Sequence, residues 1–298
     1  SATEIANNAQ VLANAGYTAD EISSSIKNIN DLATGTGEDF SSVSNIVVDG
    51  LAQFNMSASD SAKFADTLAK TAISTNTNVL QLGNAFTYVG SVAGGLNYNI
   101  HDVGLALGIM ANNGIKASQG GTALRSIISR LASKTSKARD EFEKLGGSFY
   151  DEYGQARPLK DIILQLHDGL SKLSDEEKMN AEKTIGGVRA LSALSAIANT
   201  STDKINELSD EIDQCNGATA EMASIRMDSV SGDVNRLKNS WKNVASELMG
   251  NVEPGFRKVL NSMTRLSQSP VMNTALTKTA ENLSIALEGS ASWLDQSG

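Results

Sequence analysis

The stretch MANNGIKASQGGTALRSIISRL, residues 110–131, decides the reading of the chain: a helix that ends, a turn, and a helix that begins. Gly114 is the stop of the first helix. Gly120 and Gly121 permit a backbone turn that side chains would block, and Thr122 caps a second helix whose buried face is Leu124, Ile127, Ile128 and Leu131. Packing accounts for each of these choices. The alternative is an anion held at the free N–H groups of the second helix, with Lys116 and Arg125 nearby.

Outward toward the N-terminus the same plan recurs: a polar cap, apolar residues at three-four spacing, then a glycine or asparagine stop. Thr18 and Glu21 are spaced as a capping box ahead of Ile22, Ile26 and Ile29, and Gly35 and Gly37 close that helix. Phe40, Val43, Val47, Leu51 and Phe54 mark the next buried face. Ser57 or Ser59 precedes a helix through Phe64, Leu68 and Ile73; Thr77 or Asn78 precedes one through Leu82, Phe86 and Val89; Asn99 caps Val103, Leu107 and Met110. GYTADEI at 16–22, NMSASDSAKF at 55–64 and LNYNIHDVGL at 96–105 recur about every forty residues, as a helical repeat or as ordinary capping chemistry.

Outward toward the C-terminus, GGSFYDEYGQARP at 146–158 pairs aromatic, strand-favouring positions with a glycine turn at Gly154, which predicts a small β-hairpin near 148–158. Helix resumes with Ile162, Ile163, Leu166 and Leu170, and Ser174 with Glu177 forms a second capping box. Beyond residue 200 the apolar positions Ile205, Leu208, Ile212, Cys215 and Met222 settle into heptad-like spacing, with Gly217 as a joint. Met227, Val230, Val234, Leu237, Trp241, Val244 and Leu248 continue it; Pro254 and Pro270 set further boundaries before a helix over 271–293. The expected fold is mainly α: a compact domain of short helices over 1–200, then longer helices in a bundle or coiled coil over 201–298.

A net charge of -9 gives no broad positive field for phosphates, so no specific nucleic-acid site is expected. One cysteine excludes an internal disulfide, and the absence of a starting Met or a leader pattern reads as an excised segment. The apolar runs at 103–111 and 190–198 are short of the roughly 18 to 20 residues that span a bilayer. His101 and His167 lack the companions of a zinc site, no phosphate-binding loop occurs, and Ser24 with Lys27 lacks the partner motifs of a serine hydrolase. Glu207, Asp210, Glu211 and Asp213 read as a solvated helix face, Trp241 and Trp293 as core, and Cys215 as an inert buried thiol. No catalytic residue, metal or cofactor is expected.

The 110–131 block resembles the core region of phage tail tape measure proteins of the phage minor tail protein family. Met110, Ala111, Gly114, Ile115, Lys116, Gly121, Thr122, Leu124 and Arg125 match that family's pattern, and Gly120 stands where alanine is commoner. Segments at 64–96, 153–166, 182–194 and 218–244 resemble further family blocks in the same order, so the likeness covers roughly residues 15 to 265.

The resemblance implies a virion structural protein that lies in the tail lumen and sets tube length, assembled in the bacterial host cytoplasm. Its implied partners are the tail tube protein, tail assembly chaperones, distal tail or baseplate proteins and other copies of itself. Two other readings stand beside it: a membrane-active protein that aids DNA passage after release, motivated by residues 82–96 and 103–111, and a peptidoglycan-cleaving module.

Overall fold

In the computed structural model of the protein, the described residues are 2–228. They form α1 (Ala2–Asn14), α2 (Ala19–Thr36), α3 (Phe40–Gln53), α4 (Ser61–Ser74), α5 (Val79–Gly95), α6 (Ile100–Asn112), α7 (Ala117–Ala132), α8 (Lys137–Lys144), α9 (Leu159–Leu170), α10 (Asp175–Gly186), α11 (Leu191–Asn199), α12 (Thr202–Asp213) and α13 (Ala218–Met227). Two 3-10 turns, Ala58–Asp60 and Val188–Ala190, lead into α4 and α11. All of this falls within one compact unit, Ser1–Asn235. The heptad positions beyond Met227, both tryptophans, the boundaries at Pro254 and Pro270 and the expected helix over 271–293 lie outside the described residues.

One backbone device joins many of these helices. At Gly16, Asn55, Asn97, Gly114 and Gly146 the chain enters the left-handed region, with φ of 93°, 54°, 57°, 83° and 85°. Each donates its N–H three residues back, and the next residue donates five residues back, as in Tyr17 to Leu12, Met56 to Leu51, Tyr98 to Ala93, Ile115 to Met110 and Gly147 to Phe142. These paired bonds close the orphan carbonyls of the ending helix. The residue that follows Gly16, Asn55, Asn97 and Gly114 is large and apolar, and Tyr17, Met56, Tyr98 and Ile115 all pack on the core. The next residue then opens the following helix or turn: Thr18 and Ser57 in capping boxes, Asn99 through its side chain to the His101 N–H. The recurrence near residues 16, 55 and 97 is therefore three copies of this joint, and Gly114-Ile115-Lys116 is a fourth.

The core runs through every helix from α1 to α13. Phe54, Phe64 and Phe86, from the end of α3, α4 and α5, pack on one another with ring centroids 5.6 to 6.4 Å apart, Phe64 edge-on to Phe86 and the other two pairs tilted. Such aromatic contacts add about 0.5–1.5 kcal/mol each beyond area burial.

Three expectations need correction. The hairpin near 148–158 does not form: a single antiparallel bridge joins Tyr150 to Ala156. Asp151 Oδ1 instead accepts the N–H groups of Tyr153 and Gln155 and curls the segment into a turn. The aromatics are anchors, with Phe149 buried and the Tyr150 hydroxyl donating to the Ala132 carbonyl at the end of α7. Gly120 and Gly121 are no turn, because α7 already starts at Ala117 and carries both inside it. The helix expected through Phe64, Leu68 and Ile73 forms as α4, although Ile73 itself is 55% exposed, since after Leu68 the inward positions fall at Thr71 and Ala72. Finally, the stripe from Ile205 is two short helices broken at Gly217, φ 83°, where the sequence places a joint, and both fold back on the body: α12 against α4 and α6, α13 against α2 and α4.

Candidate functional site

The residues singled out by sequence are drawn into the contact between α7 and its neighbours, but not into a pocket. Met110 is fully buried in α6 and Gly114 turns the chain. Ile115 packs on the core, and Leu124 is buried. Lys116 is the N-cap of α7 with no side-chain capping bond; its ammonium donates to Asn76 Oδ1 at 3.0 Å. The Asn76 N–H in turn donates to Asn112 Oδ1, so Lys116 and Asn112 tie the α4–α5 connection to the α6–α7 joint. Thr122 is half-buried one turn inside α7, and Arg125 is exposed.

Gly121 explains why two glycines stand together inside a helix. A β-carbon there would run into the Ala85 carbonyl oxygen of α5 and come within 2.7 Å of Tyr88 Cβ. The two helix backbones touch, which only a residue without a side chain allows. On its other side α5 does the same against α3, where a β-carbon on Gly94 would strike the Gln53 carbonyl oxygen. Gly120 is milder, with the Ile115 carbonyl oxygen 3.1 Å from such a carbon. Leu124, Ile127, Ile128 and Leu131 then fill the space beneath α7.

Sequence reasoning missed a second layer, in which side chains from one helix close the ends of another. Arg130 of α7 donates through Nε to the Ile185 carbonyl and through Nη2 to the Thr184 carbonyl, both at 2.8 Å, and Ser126 donates to Gly186. These are the last carbonyls of α10, where positive charge is favoured. Asp102 of α6 accepts the Lys160 N–H at the start of α9, whose own N-cap, Pro158, makes no side-chain bond. Burial pushes the Asp102 carboxyl above its ordinary range, the Lys160 N–H opposing the shift. Asp66 of α4, 9% exposed, accepts the Gly217 and Thr219 N–H groups at 2.8 and 2.9 Å and so caps α13. Pairs separated by 55, 58 and 151 positions leave no local signal.

One cluster has the outline of a nucleophilic site. His101 Nδ1 lies 2.9 Å from Asp213 Oδ1, and its Nε2 lies 3.7 Å from Cys215 Sγ. The order thiol, imidazole, carboxylate is that of an activated cysteine. Cys215, however, is 1% exposed, and burial pushes its thiol up, which favours the inert protonated form. Cys215 and His101 pack beneath the α12–α13 joint, and Asp213 meets the imidazole from the surface. Among the described residues no group of three or more His, Cys, Asp or Glu converges as metal ligands. His167 is engaged separately with the Ile197 carbonyl, and Ser24 and Lys27 bond within α2, to the Glu21 carbonyl and to Asp31.

A hollow of about 360 Å³ lies between the start of α7 and that of α11, lined by Ile115, Ser118, Gln119, Thr122, Arg189 and neighbouring residues. It brings the 110–131 and 182–194 blocks together without any buried ionisable group. The apolar residues that motivated membrane insertion, among them Leu82, Val89, Val103 and Leu107, are buried in α5 and α6. Among the described residues no helix is long and apolar enough to cross a membrane.

The arrangement defines a helical packing module built on glycine contacts and shared helix caps. Residues 1–187 match the phage-related minor tail protein family, and the chain belongs to that family. It is 30% identical over 269 residues, 90% of its length, to the tape measure protein of Pneumococcus phage Dp-1. It is 28% identical over 215 residues, 71% of its length, to the probable tape measure protein of Escherichia phage P2. The alignments cover 23% and 26% of those relatives, so the chain spans about a quarter of their length. No solved structure matches it.

Proposed function

We propose that this chain is a segment of a tail tape measure protein: it lies in the lumen of the growing tail, and the protein that contains it limits how far tube subunits polymerise. The observation that carries the reading is the likeness to two phage tape measure proteins along most of this chain. The described residues offer packing faces and shared helix caps, which suit a structural role. In this reading the compact unit that holds α1 to α13 contributes a fixed length, and the more extended ruler expected from residue 201 begins only beyond residue 228. The 110–131 block acts as a structural element rather than a ligand site. Its partners are the tail tube protein, assembly chaperones, distal tail or baseplate proteins and further copies of the chain, met during assembly in the host cytoplasm.

A helix rises about 1.5 Å per residue, so a heptad spans about 10 Å and this segment, drawn out as one helix, no more than about 450 Å. In-frame deletion of heptads beyond residue 228 in the full-length protein is expected to shorten tails by about 10 Å each, read by electron microscopy of virions. Tails of unchanged length would remove the ruler role from that region.

A further inference from the structure

We infer that the α12–α13 joint and α13, residues 214–227, form a releasable clasp that lifts from the body while the remaining helices stay folded. It is a property of the fold and stands whatever the chain does in a tail. The first ground is what α13 buries: Ala218, Thr219 and Ala223, with Met222 half-buried. Ile225 is 65% exposed, so the largest β-branched side chain of this helix contributes little to its seat. The preceding helix, α12, buries Ile205, Leu208 and Ile212, and it stays anchored when α13 leaves. Because apolar burial is the main force that seats a helix, the boundary between firm and weak attachment falls between α12 and α13.

The second ground is the hinge and the latch. Gly217, φ 83°, sits between the two helices, where the chain swings at least steric cost. The latch is polar: both oxygens of Asp66 hold the first turn of α13 through Gly217 and Thr219. The seat also carries a defect, since the buried Thr219 hydroxyl has no hydrogen-bond partner. Gly35 of α2 forms its floor, where a β-carbon would come within 2.7 Å of Met222 Cγ and 3.0 Å of the Ala223 nitrogen. Contact here is close and, apart from the half-buried Met222, made of small groups, so it sets position more than strength. Release frees residues 214–227, about 20 Å of helix or about 45–50 Å of extended chain, between the body and whatever follows.

The protein carries its own reporter. Cys215, the chain's only cysteine, is sealed under the joint against Thr67 of α4 and His101 of α6. Its thiol becomes reactive when the clasp lifts. The experiment is labelling of the 298-residue chain with a chromogenic disulfide reagent across a urea series, beside helical circular dichroism on the same samples. Labelling is expected well below the unfolding midpoint, with a shallow dependence on urea.

Asp66→Ala, which removes the latch, should speed labelling about fivefold, the loss expected of a helix cap. Gly35→Ala should also speed it by crowding the floor, while leaving the unfolding midpoint level or higher because alanine favours helix in α2. Should Asp66→Ala fail to fold, Gly35→Ala decides alone. The inference is overturned if Cys215 reacts only along the global unfolding curve, with the same urea slope in the wild type and in Gly35→Ala.

Discussion

α7 and α13 are seated in similar ways and held very differently. Each presses against a neighbouring helix through a glycine, Gly121 of α7 on the Ala85 carbonyl of α5 and α13 on Gly35 of α2. Around the first contact Leu124, Ile127, Ile128 and Leu131 are buried; around the second only Ala218, Thr219 and Ala223 are. At about 1.5–3 kcal/mol for each large apolar side chain, the four under α7 are worth on the order of 6–12 kcal/mol, and α13 has no comparable term. A glycine contact sets how close two helices come, and the side chains around it set whether they stay.

The sharpest way to break this comparison is to fill both contacts. Gly121→Val drives methyl groups into a carbonyl that cannot retreat and is expected to cost about 3 kcal/mol or more of global stability by urea denaturation. Gly35→Ala is expected to cost none. Equal losses at both sites would erase the distinction. Next in size, Leu124→Ala should cost about 2–5 kcal/mol as a core cavity, whereas Ala223→Gly should leave the unfolding midpoint nearly unchanged. Arg130→Met removes both bonds to the end of α10 and keeps much of the apolar stem, for an expected loss of about 2 kcal/mol.

Asp102 supplies a pH test. Its folded pKa lies above the unfolded value, so its contribution is fully present below about pH 3.9 and is lost as pH rises through the folded value. The Glu21 and Glu177 carboxyls of the capping boxes are shifted the other way, held down by Thr18 and Ser174, and contribute above the ordinary carboxylate range, losing it in acid. Asp102→Asn keeps an acceptor for the Lys160 N–H and should flatten the decline in stability as pH rises above the ordinary carboxylate range, read as urea midpoints; an unchanged slope would show that Asp102 is not its source. The smallest effect is local: Thr18→Ala should cost about 1 kcal/mol through the start of α2.

What the sequence made legible follows the reach of each interaction. The Thr18 and Ser174 boxes, the Asn99 cap and the joint at Gly217 involve neighbours within a few positions, and each is where the spacing places it. Gly114 was readable as a stop, though not that Gly16, Asn55, Asn97 and Gly146 repeat its hydrogen bonding. The Gly120–Gly121 pair misled because adjacent glycines suit a turn as well as a helix contact, and the deciding partner, Ala85, is 36 residues away. Phe149 and Tyr150 misled for a related reason: aromatics favour strands on average, but here one fills the core and the other caps α7. The closure of α9, α10 and α13 by Asp102, Arg130 and Asp66 depends wholly on tertiary placement.

Native-state hydrogen exchange on the whole chain, followed peptide by peptide in low urea, tests the difference between the two seats most directly. Amides of Ala117–Ala132 should exchange only through global unfolding, with a steep urea dependence, while those of Ala218–Met227 exchange faster through a local opening nearly insensitive to urea. If the two helices exchange at one free energy and one slope, the fold has a single cooperative seat and the contrast drawn between α7 and α13 is wrong.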